Sequence, residues 1–191
     1  MNESSPIAML SQEHEAALEK IRTIELSLRG FAAGPTSGEL ETARNLWASF
    51  DEFRRLLLTH FRKEEEGLFP DVRQMVSEGA PRVDILSAFF AEESDDDLKA
   101  HTLLRARLKE LAVLMQRAKA AEVLDEALAS SMQMSVNLTQ DLLARHADKE
   151  TRLVFPMIAR LLSPRHMAAI LNRIGAVSSA ADVSSPSNEK R

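Results

Sequence analysis

An eleven-residue pattern, H-x-x-K-E-x-x-x-[L/V]-F-P, occurs twice in this chain, as His60–Pro70 and again as His146–Pro156. One further histidine precedes each copy at nearly the same distance: His14 lies 46 residues before the first copy, and His101 lies 45 residues before the second. The chain therefore contains an internal repeat of about 86 residues. Such a duplication constrains the fold to two similar halves that bring the same polar residues to the same place.

The composition favours helix. Glycine (6) and proline (7) are scarce among the 191 residues, 45% of the residues are apolar, and no period-two pattern of strands occurs. The length suits one compact domain. We place this domain at residues 1–165 and a short helix end with a flexible tail at residues 166–191.

Several classes of function are excluded or disfavoured. Cysteine is absent, so this chain forms no disulfide, holds no iron–sulfur cluster and performs no thiol catalysis. The net charge is −5 and no basic block occurs, so nucleic acid is not an expected partner. The first ten residues do not resemble a signal peptide, and no apolar run reaches the roughly 18 residues of a membrane span. We therefore expect a soluble, cytoplasmic protein.

Apolar residues recur at three- and four-residue steps along four long segments, which is the pattern of amphipathic helices. The predicted helices run from Pro6 to Arg29, from Ser37 to beyond Gly67, from a start between Arg82 and Asp95 to Ala121, and from Val123 to Leu162. Their short connections predict an all-α fold, an up-down-up-down four-helix bundle.

A short fifth helix is predicted after the bundle. Ser163 and Pro164 are typical of an N-cap and a first-turn proline, so this helix is expected over Pro164–Ile174, with Gly175 as its stop. The remaining residues, Ala176–Arg191, are rich in Ser, Ala and Asp and are predicted to be disordered.

Four of the five histidines fall on the apolar faces that must point into the bundle, and a glutamate follows two of them by four residues. On a helix, residues four apart point the same way. Burying imidazoles and carboxylates among apolar side chains is costly unless they have partners, and one or two divalent cations would provide them. The predicted metal ligands are His14, His60, Glu64, His101, His146 and Glu150.

In the predicted site, Glu64 and Glu150 bridge two cations, so that each cation receives two imidazoles and two carboxylate oxygens. Coordination positions then stay open for hydroxide, oxygen, nitric oxide or peroxide. Because His and Glu are compatible with iron, manganese and zinc, the residue types leave the metal open.

Three further acidic residues and the fifth histidine need an interpretation. Asp97 lies four residues before His101 on the same face, so it is an additional ligand, an acceptor for an imidazole N–H, or an acid of a first helical turn. Glu65 and Glu66 turn away from the site on a regular helix and are predicted to be solvated. His166 is predicted to lie at the surface. The Phe-Pro pair that ends each copy is predicted to pack its ring in the core and to bend the helix end.

The combination of His14, His60-x-x-x-Glu64, His101 and His146-x-x-x-Glu150 resembles the hemerythrin-like HHE cation-binding family, from about Pro6 to Leu162. The resemblance implies a four-helix bundle around a non-haem di-iron centre, that is, two iron ions with a bridging oxo or hydroxo group. It also implies that members bind oxygen, sense oxygen or nitric oxide, handle peroxide, or help to maintain iron–sulfur clusters.

The chain departs from the oxygen-carrying hemerythrins at two positions. Those proteins have a His-x-x-x-His pair on the third helix, where Asp97 stands at the first position here, and an Asp ligand where this chain has Glu150. Fewer imidazoles and more carboxylate favour higher oxidation states and weaken reversible oxygen carriage. The cluster-repair relatives also carry an N-terminal cysteine-containing domain, which is not present in this sequence.

The expected function is therefore to bind or sense a small diatomic ligand, O2 or NO, at two iron ions, with manganese or zinc as alternative metals. The alternatives are a di-iron oxidoreductase acting on peroxide or nitric oxide, an iron donor in iron–sulfur cluster maintenance, and a structural bundle without metal. Whether the protein is an enzyme is left open by the sequence, as is its oligomeric state. No nucleic acid and no membrane is expected among its partners.

Overall fold

The computed structural model describes residues 5–32, 39–77, 83–120 and 125–183. Within them the α-helices are α1 (Pro6–Ala32), α2 (Glu39–Arg62), α3 (Phe69–Ser77), α4 (Val83–Ala120), α5 (Glu126–Lys149), α6 (Phe155–Leu161) and α7 (Pro164–Val183). Two short π-helical segments, π1 (Lys63–Leu68) and π2 (Glu150–Val154), join α2 to α3 and α5 to α6. Four long helical stretches therefore precede α7.

The four stretches form the predicted bundle. α1 packs against α2 and α5, and α4 packs against α5. Lys20 on α1 contacts Glu52 on α2, and His14 contacts His60. A higher residue number on α1 therefore pairs with a lower residue number on α2. The two helices are therefore antiparallel, and the prediction of an all-α, up-down-up-down bundle is confirmed.

Two apolar clusters lie on either side of the buried histidines. Along α1 the larger cluster includes Ile21 and Ile24, and the smaller one includes Ile7 and Leu10. Burying an Ile or Leu side chain stabilises a fold by about 1.5–3 kcal/mol. Because His14 shares the inward face of α1 and lies between these two groups, the helical period alone places it in the middle of the bundle.

Both copies of the repeat contain a π segment at the same place. The N–H of Phe69 donates to Glu64 O, and the N–H of Phe155 donates to Glu150 O, each over five residues instead of four. The proline that follows in each copy has no N–H, and in a regular α-helix its ring clashes with the carbonyl four residues before it. A widened turn relieves that clash, so the structure has a π turn where the sequence predicted a bend.

α7 is longer than predicted. The helix continues through Gly175 to Val183, so the prediction that Gly175 ends it is wrong. Ile170 and Ile174 are buried on one face of α7, and packing that face outweighs the cost of about 1 kcal/mol for one helical glycine. The first part of the predicted tail is thus helical, and residues 184–191 lie outside the described residues. The predicted domain boundary before this helix stays a prediction.

The other helix ends lie close to their predicted positions. α4 begins at Val83, inside the predicted window, and α1 extends three residues beyond its predicted end. α5 begins after Asp125, whose side chain accepts a hydrogen bond from the backbone N–H of Leu128 as an N-cap. The predicted starts at Ser37 and Val123 lie outside the described residues. None of the described helices is both long and apolar enough to cross a membrane.

Candidate metal centre

The structure brings the six predicted ligands together in the middle of the bundle, and all six side chains are buried. They come from all four helical stretches: His14 on α1, His60 on α2, Glu64 in π1, His101 on α4, His146 on α5 and Glu150 in π2. Their ligand atoms form two overlapping groups, each within 4.8 Å: His14, His60, His146 and Glu150, and Glu64, His101, His146 and Glu150. The cluster therefore offers two neighbouring positions for a cation.

Glu64 lies between two histidines from different helices. One carboxylate oxygen, Oε1, is 3.2 Å from His60 Nε2, and the other, Oε2, is 3.1 Å from His101 Nε2. A carboxylate that offers one oxygen to each of two imidazole groups is well placed to bridge two cations. The bridging role of Glu64 itself stays a prediction from the sequence.

Glu150 completes the other side of the cluster. Its Oε2 atom lies 3.1 Å from His14 Nε2 and 3.6 Å from His146 Nε2. His14 Nε2 also lies 2.8 Å from His60 Nε2, so two imidazole nitrogens converge on the same small volume. A cation held there would accept lone pairs from both.

Several buried polar atoms in the cluster have no hydrogen-bond partner among the described residues. They include both carboxylate oxygens of Glu64 and of Glu150, and Nε2 of His101 and of His146. These atoms lie near one another without the geometry of a hydrogen bond. Since most buried polar atoms in proteins are hydrogen-bonded and a buried charge without a partner is costly, this donor set fits divalent cations.

The two glutamates carry opposite perturbations. Burial raises the pKa of Glu150 well above its usual value, and the negative charges of Glu64 and Asp97 raise it further. Burial also acts to raise the pKa of Glu64, but the nearby His60 and His101 outweigh this and hold it well below the usual value. Without a cation, the surroundings therefore favour the charged form of Glu64 and the neutral form of Glu150. Divalent positive charge between them would allow both to ionise.

The imidazoles also differ from one another. Burial lowers the pKa of His14 to about 3, and the charge of His60 contributes to the decrease. Burial acts to lower the pKa of His60 too, but Glu64 and Glu13 outweigh it and raise that pKa to about 9. At neutral pH, His14 therefore offers a free lone pair, whereas His60 must lose a proton before it binds a cation.

Glu65 does not turn away from the site into solvent, so that prediction is wrong: its side chain is 23% exposed and contacts a predicted ligand. Its Oε1 atom accepts a hydrogen bond from His101 Nδ1 at 2.8 Å, and Arg105 donates to both of its oxygens at 2.8 Å. The prediction assumed a regular α-helix, but Glu65 lies in π1, where each residue turns less about the axis. Glu66, by contrast, is exposed, as predicted.

Asp97 is buried beside the cluster but belongs to neither group of ligand atoms. Its Oδ1 atom is 4.0 Å from His146 Nδ1 and 3.0 Å from Lys149 Nζ. Burial raises the pKa of Asp97 to about 6, although Lys149 opposes that rise. Of the predicted roles, this position fits a carboxylate behind an imidazole better than a direct ligand.

Aromatic rings cover the cluster on two sides. Phe61 stacks on His101 with ring centroids 4.1 Å apart, and Phe155 stacks on His14 at 5.8 Å. Phe69 and Phe155, the rings of the two Phe-Pro pairs, are both buried, so the prediction that they pack in the core is confirmed. His166 is exposed, as predicted.

Four residues around the cluster were not predicted to contribute: Glu13, Lys63, Arg105 and Lys149. Lys63 and Lys149 occupy the same position in both copies of the repeat, so the repeat itself contained a signal for them. Glu13 and Arg105 have no counterpart in the repeat, because their contacts depend on how neighbouring helices pack.

The fold and the cluster together define a class of protein, a four-helix bundle with buried histidines and glutamates arranged for cations at its centre. The sequence profile of the family described as "Hemerythrin HHE cation binding domain" matches residues 5–158, most of the chain. The chain belongs to this family, and the resemblance predicted from its sequence is confirmed. Comparison with curated proteins gives no match.

Proposed function

We propose that the protein binds two non-haem iron ions and uses them to bind or sense a small diatomic ligand, O2 or NO. The observation that supports this best is the position of Glu64, with one oxygen facing His60 and the other facing His101. Family membership supports cation binding. The choice of iron rests on the donor set, since imidazole and carboxylate on facing helices suit a di-iron centre, with manganese and zinc as alternatives.

The six side chains cannot fill two coordination spheres. Four imidazoles and two bridging carboxylates supply about eight donor atoms, whereas two octahedral ions accept roughly twelve. The open positions suit a small ligand, and a ferrous pair supplies the electrons that binding O2 or NO requires. The chain itself orients the imidazoles and keeps bulk water away, because Phe61 and Phe155 cover two sides of the cluster.

The test is anaerobic loading with ferrous iron of protein purified without a histidine tag. About two iron ions per chain are expected, with a change in visible absorption on adding NO or O2 that reverses when the gas is removed. His101→Ala should lower the iron content and the gas response together, because His101 belongs to one of the two ligand groups. His166→Ala is the matched control, since that histidine is exposed. Wild-type protein that takes up no iron, or whose iron responds to neither gas, contradicts the proposal.

A di-iron oxidoreductase acting on peroxide or nitric oxide is the second candidate, and a polar path favours it. Buried Asp97 lies beside His146 and pairs with Lys149, whose side chain is 29% exposed. Such a path would carry protons that turnover consumes. Steady turnover that falls in Asp97→Asn when it is expressed per bound iron supports the enzyme; absence of turnover in the iron-loaded wild-type protein supports binding or sensing. Iron donation, the cytoplasmic location and the absence of nucleic-acid or membrane partners stay sequence-based predictions.

A further inference from the structure

Two lysines occupy the same place in the repeated pattern, three residues after the histidine and directly before the glutamate. They are Lys63 and Lys149. Lys63 is only 8% exposed, and a buried ammonium group is costly unless it is paired. Neither lysine donates to the cation positions described above, so their presence in both copies requires another reason.

In the first half, Lys63 pairs with a carboxylate that also holds a histidine. Lys63 Nζ donates to Glu13 Oε1, and the other oxygen of Glu13, Oε2, accepts a hydrogen bond from His60 Nδ1 at 3.1 Å. The opposite nitrogen of the same ring, Nε2, faces Glu64. A continuous line of polar contacts therefore runs from the ammonium group of Lys63 through the Glu13 carboxylate and the His60 imidazole to the cluster.

In the second half, the order of groups is the same but the acid comes from a different helix. Lys149 Nζ lies 3.0 Å from Asp97 Oδ1 and 2.8 Å from Glu93 Oε2, both on α4. Asp97 Oδ1 lies 4.0 Å from His146 Nδ1, too long for a hydrogen bond. The second line is thus looser than the first.

The physical consequence concerns the histidine tautomer. An imidazole that donates Nδ1–H to a carboxylate keeps its lone pair on Nε2, which is the atom that faces the cluster, and becomes a more basic ligand. Glu13 is 16% exposed, so without a fixed partner its carboxylate is free to turn toward water. An adjacent ammonium group keeps the carboxylate behind the ring.

We infer that Lys63 is a positioning residue for the cation site: it holds the carboxylate of Glu13, which accepts from Nδ1 of His60 and so orients that histidine. Lys149 pairs with Asp97 at the equivalent place in the second half, but there the carboxylate makes no hydrogen bond to His146. The inference rests on the proposed function, since it concerns how firmly the site holds a cation. The first half, which has the direct hydrogen bond, depends on its lysine more than the second half does.

Co²⁺ and Zn²⁺ are suitable probes, and affinity is measured by competition with a chelator. Lys63→Met should weaken binding by about 10–100-fold, the usual effect of losing a partner behind a metal-binding histidine. Lys149→Met should weaken it less, and Lys63→Arg should restore most of the affinity because it keeps the charge. Lys20→Met is the matched control, because Lys20 forms a 2.8 Å pair with Glu52 on the surface, away from the cluster.

A second readout separates positioning from a general loss of stability. In Zn²⁺-loaded protein, nitrogen-15 NMR should show that the Nδ1–H proton of His60 exchanges slowly with water. Lys63→Met should abolish this protection, whereas the signals of the other histidines should stay in place. The double variant Glu13→Gln with Lys63→Met should bind Co²⁺ no more weakly than the weaker single variant, since both changes break one line.

The outcomes distinguish the two levels of the proposal. If wild-type protein binds neither Co²⁺ nor Zn²⁺, the proposed function fails and this inference fails with it. If wild-type protein binds them but Lys63→Met binds them equally well, only the positioning role is overturned. The same holds if the loss of Co²⁺ affinity in the double variant equals the sum of the losses in the two single variants. Should Lys63→Met fail to fold, Glu13→Gln and Lys63→Arg test the same line, and wild-type affinity in Glu13→Gln overturns the inference.

Discussion

Gly67 in π1 faces Ile174 in α7 so closely that a Cβ added to the glycine would lie 2.8 Å from Ile174 Cγ1. At this contact α7 packs against π1, the segment that contains Glu64. α7 lies beyond residues 5–158, the part of the chain that matches the family profile. Because close-packed interiors transmit strain, we expect α7 to support the geometry of the candidate metal centre.

Gly67→Ala should destabilise the protein by about 1–3 kcal/mol, the usual cost of forcing an extra methyl group into a packed contact. Urea unfolding of the metal-free protein measures the change. Gly175→Ala is the control, since a Cβ there meets no atom within 4 Å and a helical alanine is about 0.5–1 kcal/mol better than glycine. Equal effects of the two substitutions would contradict the proposed clash.

Ile174→Ala should partly rescue Gly67→Ala, because it removes the atom that the new methyl group meets. Alone, Ile174→Ala should cost about 2–5 kcal/mol as a large-to-small change in a packed site. The free energy of unfolding of the double variant should fall by less than the sum of the single changes. Additive losses would mean that the two side chains do not compete for the same space.

Glu64→Gln should lower the number of metal ions bound per chain, since an amide offers one good oxygen ligand and no negative charge where the carboxylate faces both His60 and His101. Elemental analysis after iron loading and gel filtration measures the bound metal. Glu66→Gln, two residues further on, is the matched control, because Glu66 is exposed and pairs with Arg62. Full metal content in Glu64→Gln would remove that residue from the ligand set.

Uptake of Zn²⁺ should release protons. The raised pKa of His60, about 9, means that this imidazole holds an extra proton at pH 7 in the metal-free protein, and the raised pKa of Glu150 favours its neutral form. The cation displaces the His60 proton, so its affinity should rise with pH up to about 9 and then level off. Calorimetric titration at one pH in two buffers with different ionisation enthalpies counts the protons. A count of zero at pH 7 would contradict this protonation of the site.

Metal removal should lower the thermal stability of the protein. A cation present at about a thousand times its Kd stabilises a folded state by about 4 kcal/mol, which corresponds to a rise in Tm of about 8–16 °C for a chain of this size. Thermal unfolding with Zn²⁺ and with a chelator measures the difference. The variant His101→Ala with Glu64→Gln should show little difference between these conditions, and a rise as large as that of wild type would place the binding elsewhere.

The repeat made much of the site predictable. Residues four apart lie on one helical face, so His60 with Glu64 and His146 with Glu150 had to point the same way, and the apolar residues around them had to point inward. Those two rules are local, and they hold whatever the detailed packing. The bundle and the convergence of the six side chains follow from them.

Glu65 and Gly175 mark where local rules were insufficient. Glu65 reaches His101 because it lies in a π segment and because Arg105 on α4 approaches its carboxylate. Helical propensity predicted a helix end at Gly175. The helix extends beyond it because the apolar face of α7 packs into the smaller apolar cluster of the bundle. In both places a contact between distant segments overrode the local preference.

The sequence by itself determined which six side chains would share the interior of the bundle, because the 3.6-residue period and the duplication leave them no other face. Only the tertiary structure decided which atoms lie behind those side chains. The pairing of Lys63 with Glu13 and of Lys149 with Asp97 depends on the register between helices, to within one hydrogen-bond length. That register comes from the packing of whole helices against one another, and no local pattern of residues specifies it.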